Sequence, residues 1–166
     1  MPVFNVDQLE SVGKCIFQAV GAIQKEAEIV AGLLANANLT GHDSHGVIRI
    51  PQYLGFIETG HIVLNNEIEI LRQTKSSAVI NGNWGFGQVI ASKAINIAIE
   101  KAKSTSVSTV TVQSCNHVGR LADYAQIAAD QNLIAMLTVN NHGAGTRVAP
   151  WGGSEGRLST NPICFA

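Results

Sequence analysis

Gly82-Asn83-Trp84-Gly85-Phe86-Gly87 stands between an apolar strand-like run, Ala78-Val79-Ile80, and a helix-like segment from about Gln88 to Lys103. A glycine-rich turn in that position invites comparison with the dinucleotide fingerprint. There a close glycine pair comes first and the pyrophosphate rests on the helix N-terminus. Here the order is G-x-x-G-x-G, and no acidic residue ends a following strand at the distance a ribose contact needs. The stretch reads as a turn and helix entry. The fold is α/β, and it is not a Rossmann domain.

Working outward, Ile68-Glu69-Ile70-Leu71 and Ala78-Val79-Ile80 form strands on either side of a polar turn. Downstream, Thr109 to Val112 reads as a strand, Arg120 to Gln131 as a helix and Leu133 to Val139 as a buried strand. Strand, short helix, strand predicts a βαβ unit with these two strands parallel. Residues 140–157 make a glycine-rich loop long enough to suggest function. Upstream, three helices follow one another. Asn5 caps the first through a capping box with Gln8, Leu9, Val12, Ile16 and Val20 form its stripe, and Gly21 ends it. Ala27, Val30, Leu34 and Ala37 line the second, which delivers the chain to Gly41. The third starts near Gly46, capped by Asp43 or Ser44, carries Tyr53, Leu54 and Ile57, and closes at Gly60. The expected organisation is a helical unit over 1–66 and an α/β region over 67–166.

Composition narrows the partners. With 46% hydrophobic residues, 14% charged and a net charge of -1, the chain gives no electrostatic reason to expect nucleic acid or an anionic membrane. Cys15, Cys115 and Cys164 are odd in number and never paired as C-x-x-C, which argues for a reducing compartment. The N-terminus lacks a signal-peptide pattern and no apolar run reaches membrane-spanning length, so the expectation is a cytoplasmic protein. The run Ile163-Cys164-Phe165-Ala166 starts like a strand and stops, which predicts a truncated chain.

Chemistry concentrates in Gly41-His42-Asp43-Ser44-His45-Gly46-Val47-Ile48-Arg49. Imidazole exchanges protons near neutral pH, and guanidinium grips a carboxylate with two parallel hydrogen bonds. Together they suit an enzyme acting on a small acid. Arg49 is expected to meet the substrate carboxylate, or alternatively to pair with Asp43 or Glu58. His117, in Asn116-His117-Val118-Gly119 after a strand and before a helix, lies where ligands of parallel sheets collect, and the positive helix end should keep it neutral. His42, Asp43, His45, His117 and His142 could instead hold a metal, although the H-x-x-H spacing does not place two ligands on one helical face. No C-x-x-C or H-E-x-x-H element is present.

The ordered series His42-Asp43-Ser44-His45-Gly46-Val47, Arg49, Pro51, Asn116-His117-x-Gly119, Val148-Ala149-Pro150-x-Gly152-Gly153 and Thr160-Asn161-Pro162 resembles the malate/L-lactate dehydrogenase family. That family is distinct from the Rossmann lactate dehydrogenases and includes ureidoglycolate, sulfolactate and hydroxycarboxylate dehydrogenases and diketogulonate reductase. The resemblance implies a non-Rossmann NAD(P)-binding fold, NAD or NADP as cofactor, a small 2-hydroxy or 2-oxo acid as substrate, and a homodimer. It implies His45 as proton donor in one branch and His117 as proton acceptor in another, with Ser44 assisting His45 and Arg49 binding the carboxylate. Asn141 matches a cofactor-contacting position, and Thr160, Asn161 and Pro162 lead into the cofactor loop. Ser159 departs from the glycine common there. Family members run to about twice this length. The other readings are a metal-dependent hydrolase or lyase using the histidines, and an inactive truncated fragment.

Overall fold

The computed structural model describes residues 3–141 and 145–166. Helix α1 (Val6–Ala19) starts at the expected capping box: the Asn5 carboxamide oxygen accepts from the Gln8 N–H at 2.8 Å, and Gln8 Oε1 accepts from the Asn5 N–H at 3.2 Å. Its buried face lies one position round from the expected stripe. Gly13 and Phe17 are buried, whereas Val12 and Val20 are 57% and 40% exposed. The cause is a close helix crossing, since a Cβ on Gly13 would stand 3.1 Å from the Ala31 Cβ. Helix α2 (Gln24–Leu39) buries Ala27, Val30, Leu34 and Ala37 as the pattern predicts.

After α2 the chain turns at Gly41, whose φ of 77° favours glycine. A continuous helix from Gly46 does not form. Two 3₁₀ turns, Asp43–His45 and Val47–Arg49, precede α3 (Ile50–Glu58). Pro51 has no N–H to give to Val47, so an α-helix can start beside it but not run through it. Neither Asp43 nor Ser44 caps. Asn38, from α2, does the equivalent work: its Oδ1 accepts from the Val47 N–H at 2.8 Å and its Nδ2 donates to Asp43 Oδ1 at 2.6 Å.

The main sheet has the order β1 (Glu69–Gln73), β2 (Ser77–Asn81), β3 (Thr109–Gln113). Strands β1 and β2 are antiparallel with a bulge between Ile70 and Arg72. Strands β2 and β3 are parallel, with Ile80 opposite Val112, and α4 (Gly87–Thr105) crosses between them. The βαβ unit is therefore β2–α4–β3. The expected unit around α5 (Ala122–Ala129) is corrected: β4 (Met136–Thr138) pairs antiparallel with β5 (Ile163–Phe165) in a separate two-stranded sheet. Nor is the 133–139 run buried throughout. Ala135 and Leu137 turn inward, while Ile134 and Met136 are 93% and 64% exposed. That alternation suits a ribbon with one covered face, and β5 matches it with Cys164 opposite Leu137.

The largest core cluster joins Phe17, Val30, Leu34 and Tyr53 to Phe86 and Val89, so the entry of α4 packs among the N-terminal helices. Phe17 and Phe86 meet edge to face at 5.5 Å, an arrangement worth about 0.5–1.5 kcal/mol beyond burial. Smaller clusters lie between β2 and α4 around Ile80 and between α4 and α5 around Ile99 and Ala125. No described helix is long and apolar enough to cross a membrane.

Candidate active site

The Asn38 clamp presents the side chains of residues 44–49, and the glycine-rich turn presents His117 to them. Gly87 opens α4 directly against the carbonyls of Asn116 and His117, where a Cβ would overlap both. Asn116 then fastens the His117 loop from the other side, donating to the carbonyls of His61, Trp84 and Gly85 at 2.9, 2.7 and 3.1 Å. Two loops far apart in sequence thus converge. The His45 and His117 rings lie 5.1 Å apart, and His42 meets His45 edge-on at 5.3 Å.

Each group has a defined tether. Ser44 Oγ sits 2.8 Å from His45 Nδ1. Tyr53 Oη sits 2.7 Å from His117 Nδ1, and Gln88 Nε2 donates to that same Tyr53 oxygen at 2.7 Å. Tyr53 and Gln88 are each 1% exposed. Gln88 Oε1 is buried and has no hydrogen-bond partner among the described residues, a cost of about 1–3 kcal/mol to the fold. Arg49 Nε donates to the Ser44 carbonyl at 2.6 Å and Nη1 to Gln52 Oε1 at 2.7 Å. Among the described residues no carboxylate lies within ion-pair distance of Arg49, so neither Asp43 nor Glu58 is its partner.

Burial, then the Arg49 charge, then His45 push the His117 imidazole down to about 4. Burial, then Arg49, then His42 also lower His45. His117 is neutral near pH 7 as expected, but the reason differs. Helix α5 begins only at Ala122, past the 118–121 loop, so desolvation rather than a helix end sets its protonation. Burial raises the Tyr53 hydroxyl to about 12. A hollow lined by Ile23, Glu26, Asn65 and Lys93 lies elsewhere on the surface and contains none of these groups.

The expected cofactor residues gather at the β4–β5 end. Asn161 Oδ1 accepts from the Asn141 N–H at 3.0 Å, the Pro162 carbonyl accepts from the Val139 N–H at 3.2 Å, and Thr160 is exposed. Residues 145–166 carry Arg147 and Arg157 against Glu155, an excess of one positive charge. Exposed hydroxyl and amide groups with that excess fit an anionic dinucleotide. His142 lies outside the described residues, and among those described no group of three His, Cys, Asp or Glu is placed to hold a metal ion.

Sequence reasoning did not single out Asn38, Gln88 or the hydroxyl of Tyr53. One signal was present: Gln88 interrupts the apolar run Phe86-Gly87-Gln88-Val89-Ile90, and a buried amide in such a run needs a reason.

The family model for malate/L-lactate dehydrogenase matches residues 4–166. The chain is 40% identical over 160 residues to malate dehydrogenase of Pyrococcus abyssi, covering 96% of this chain and 43% of that protein. It is 36% identical over 151 residues to L-sulfolactate dehydrogenase of Methanocaldococcus jannaschii, covering 91% of this chain and 43% of the relative. The solved sulfolactate dehydrogenase from M. jannaschii superimposes with a TM-score of 0.92 at 33% identity, covering 99% of this chain and 47% of that one. The chain thus spans a little under half the length of the relatives it matches. By sequence and by fold, it belongs to the malate/L-lactate dehydrogenase family.

Proposed function

We propose that this chain forms the acid-binding and proton-transfer side of an oxidoreductase that moves a hydride between NAD(P) and a small 2-hydroxy or 2-oxo acid. The observation that carries the reading is the pair of imidazoles 5.1 Å apart beside an Arg49 that has no carboxylate partner among the described residues. A visiting carboxylate supplies the missing anion, and the guanidinium orients it by charge-assisted hydrogen bonds. In this reading the hydroxyl or carbonyl at C2 is the part of the acid that meets the histidines. His45, steadied by Ser44, and His117 are the candidates for handling the proton at the C2 oxygen. Asn141, Thr160, Asn161 and Pro162 would hold the dinucleotide, whose nicotinamide supplies the hydride chemistry. The N-terminal helical part thus brings Ser44, His45 and Arg49, and the rest brings His117 and the cofactor groups. The working form is a cytoplasmic homodimer, as the family resemblance implies.

The malate, sulfolactate and hydroxycarboxylate dehydrogenases among the relatives support this substrate class. The metal-dependent alternative lacks a three-ligand cluster among the described residues. The test is the complete gene product with His45→Ala and His117→Ala made separately. At least one variant should lose roughly 10²–10⁴-fold in kcat, the worth of general acid–base help. Near-normal rates in both would overturn the proton-carrier assignment.

A further inference from the structure

We infer that Gln88, acting through Tyr53, fixes which nitrogen of His117 carries the proton, and so makes His117 a hydrogen-bond donor at Nε2. The inference rests on the dehydrogenase reading for its use, but not for its geometry. Gln88 Nε2 can only donate, and it donates to Tyr53 Oη at 2.7 Å. With that oxygen receiving, the Tyr53 hydroxyl hydrogen is free to point to the atom on its other side, His117 Nδ1, also at 2.7 Å. Nδ1 then accepts, and a neutral ring must hold its single proton on Nε2. Gln88 and Tyr53 are both 1% exposed, so water does not compete for the chain of donors. A carboxamide at position 88, with its oxygen left unpaired, is an odd choice for an apolar helix entry unless its N–H is needed.

The consequence is a division of labour between the two histidines. A neutral imidazole with Nε2–H polarises a carbonyl oxygen without giving up its proton, which suits the C2 oxygen of a 2-oxo acid. His45 is less deeply buried and linked through Nδ1 to the exposed Ser44, so it is the better placed of the two to exchange a proton with solvent. The charged and titratable groups facing His117 are Arg49, His45 and Tyr53. Tyr53 and Gln88 are positioning residues here, since both act through His117.

The test is nitrogen-15 NMR of the imidazoles in this chain at neutral pH, with no cofactor or acid added. The expected result is one His117 tautomer, with the proton on Nε2 and Nδ1 bare. Gln88→Glu, ionised at raised pH, can only accept from Tyr53. It should reverse the chain of donors and move the His117 proton to Nδ1. Tyr53→Phe and Gln88→Met, which keep the packing volume, should lose the single tautomer while amide spectra stay native-like. A proton on Nδ1 in the wild type, or a tautomer untouched by all three folded variants, would overturn the inference. Such a failure leaves the dehydrogenase reading standing. An intact Nε2–H in a complete gene product that transfers no hydride would strike that reading instead.

Discussion

Neutral His117 has a cost that stability measurements can read. Unfolded, it takes a proton near pH 6.5, whereas folded it resists protonation until about 4. The native state therefore binds fewer protons across that window. The stabilisation is fully present above pH 6.5 and is lost as pH falls towards 4. The loss is on the order of 2–3 kcal/mol, allowing for partial exposure of the ring. Urea unfolding from pH 7 to 4 should show this slope flattened in His117→Gln; an unchanged slope contradicts it. Arg49 supports a different test. Lysine keeps the charge but not the planar fork, so Arg49→Lys in the complete gene product should raise KM for the acid about tenfold or more and leave cofactor affinity near wild type. Equal loss for acid and cofactor, or loss of folding alone, would give Arg49 a structural role. Both residues were legible in the sequence as chemistry. The cause of the His117 shift was not, because burial is a property of the packed loop and not of its spacing.

Among the elements, the segment from Asp43 to Arg49 depends on Asn38, the penultimate residue of α2. Asn38→Ala removes the acceptor for Val47 N–H and the donor to Asp43 together. It should cost about 1–2 kcal/mol in chemical denaturation and loosen the His45 loop. A change below a few tenths would show that the 3₁₀ turns hold themselves. The helices α1 and α2 were readable from caps and apolar period, because those signals are local. The strand pairing was not: a strand–helix–strand order suits both α4 and α5. Only β2 offers a parallel neighbour in register with β3, while β4 finds its partner in β5, a long way down the chain. Gln88 escaped for a similar reason, as its partner Tyr53 lies across the core in a different helix.

Over the whole molecule, order should be uneven. The core around Phe17, Tyr53 and Phe86 is aromatic and fully buried, whereas β4 and β5 are three residues each with Met136, Ile163 and Phe165 exposed. Amide exchange should be slowest in the buried turns of α2 and much faster in β4 and β5; equal protection would contradict that ranking. The proposed reaction is hydride transfer to a small acid at the His45–His117 pair. The most direct measurement incubates the complete gene product with nicotinamide nucleotide deuterated at the transferable position and a set of small 2-oxo acids. The predicted result is a 2-hydroxy acid carrying one deuterium at C2, formed with NAD(P)D alone and without added metal. Unlabelled product, or turnover that requires zinc, would contradict the account.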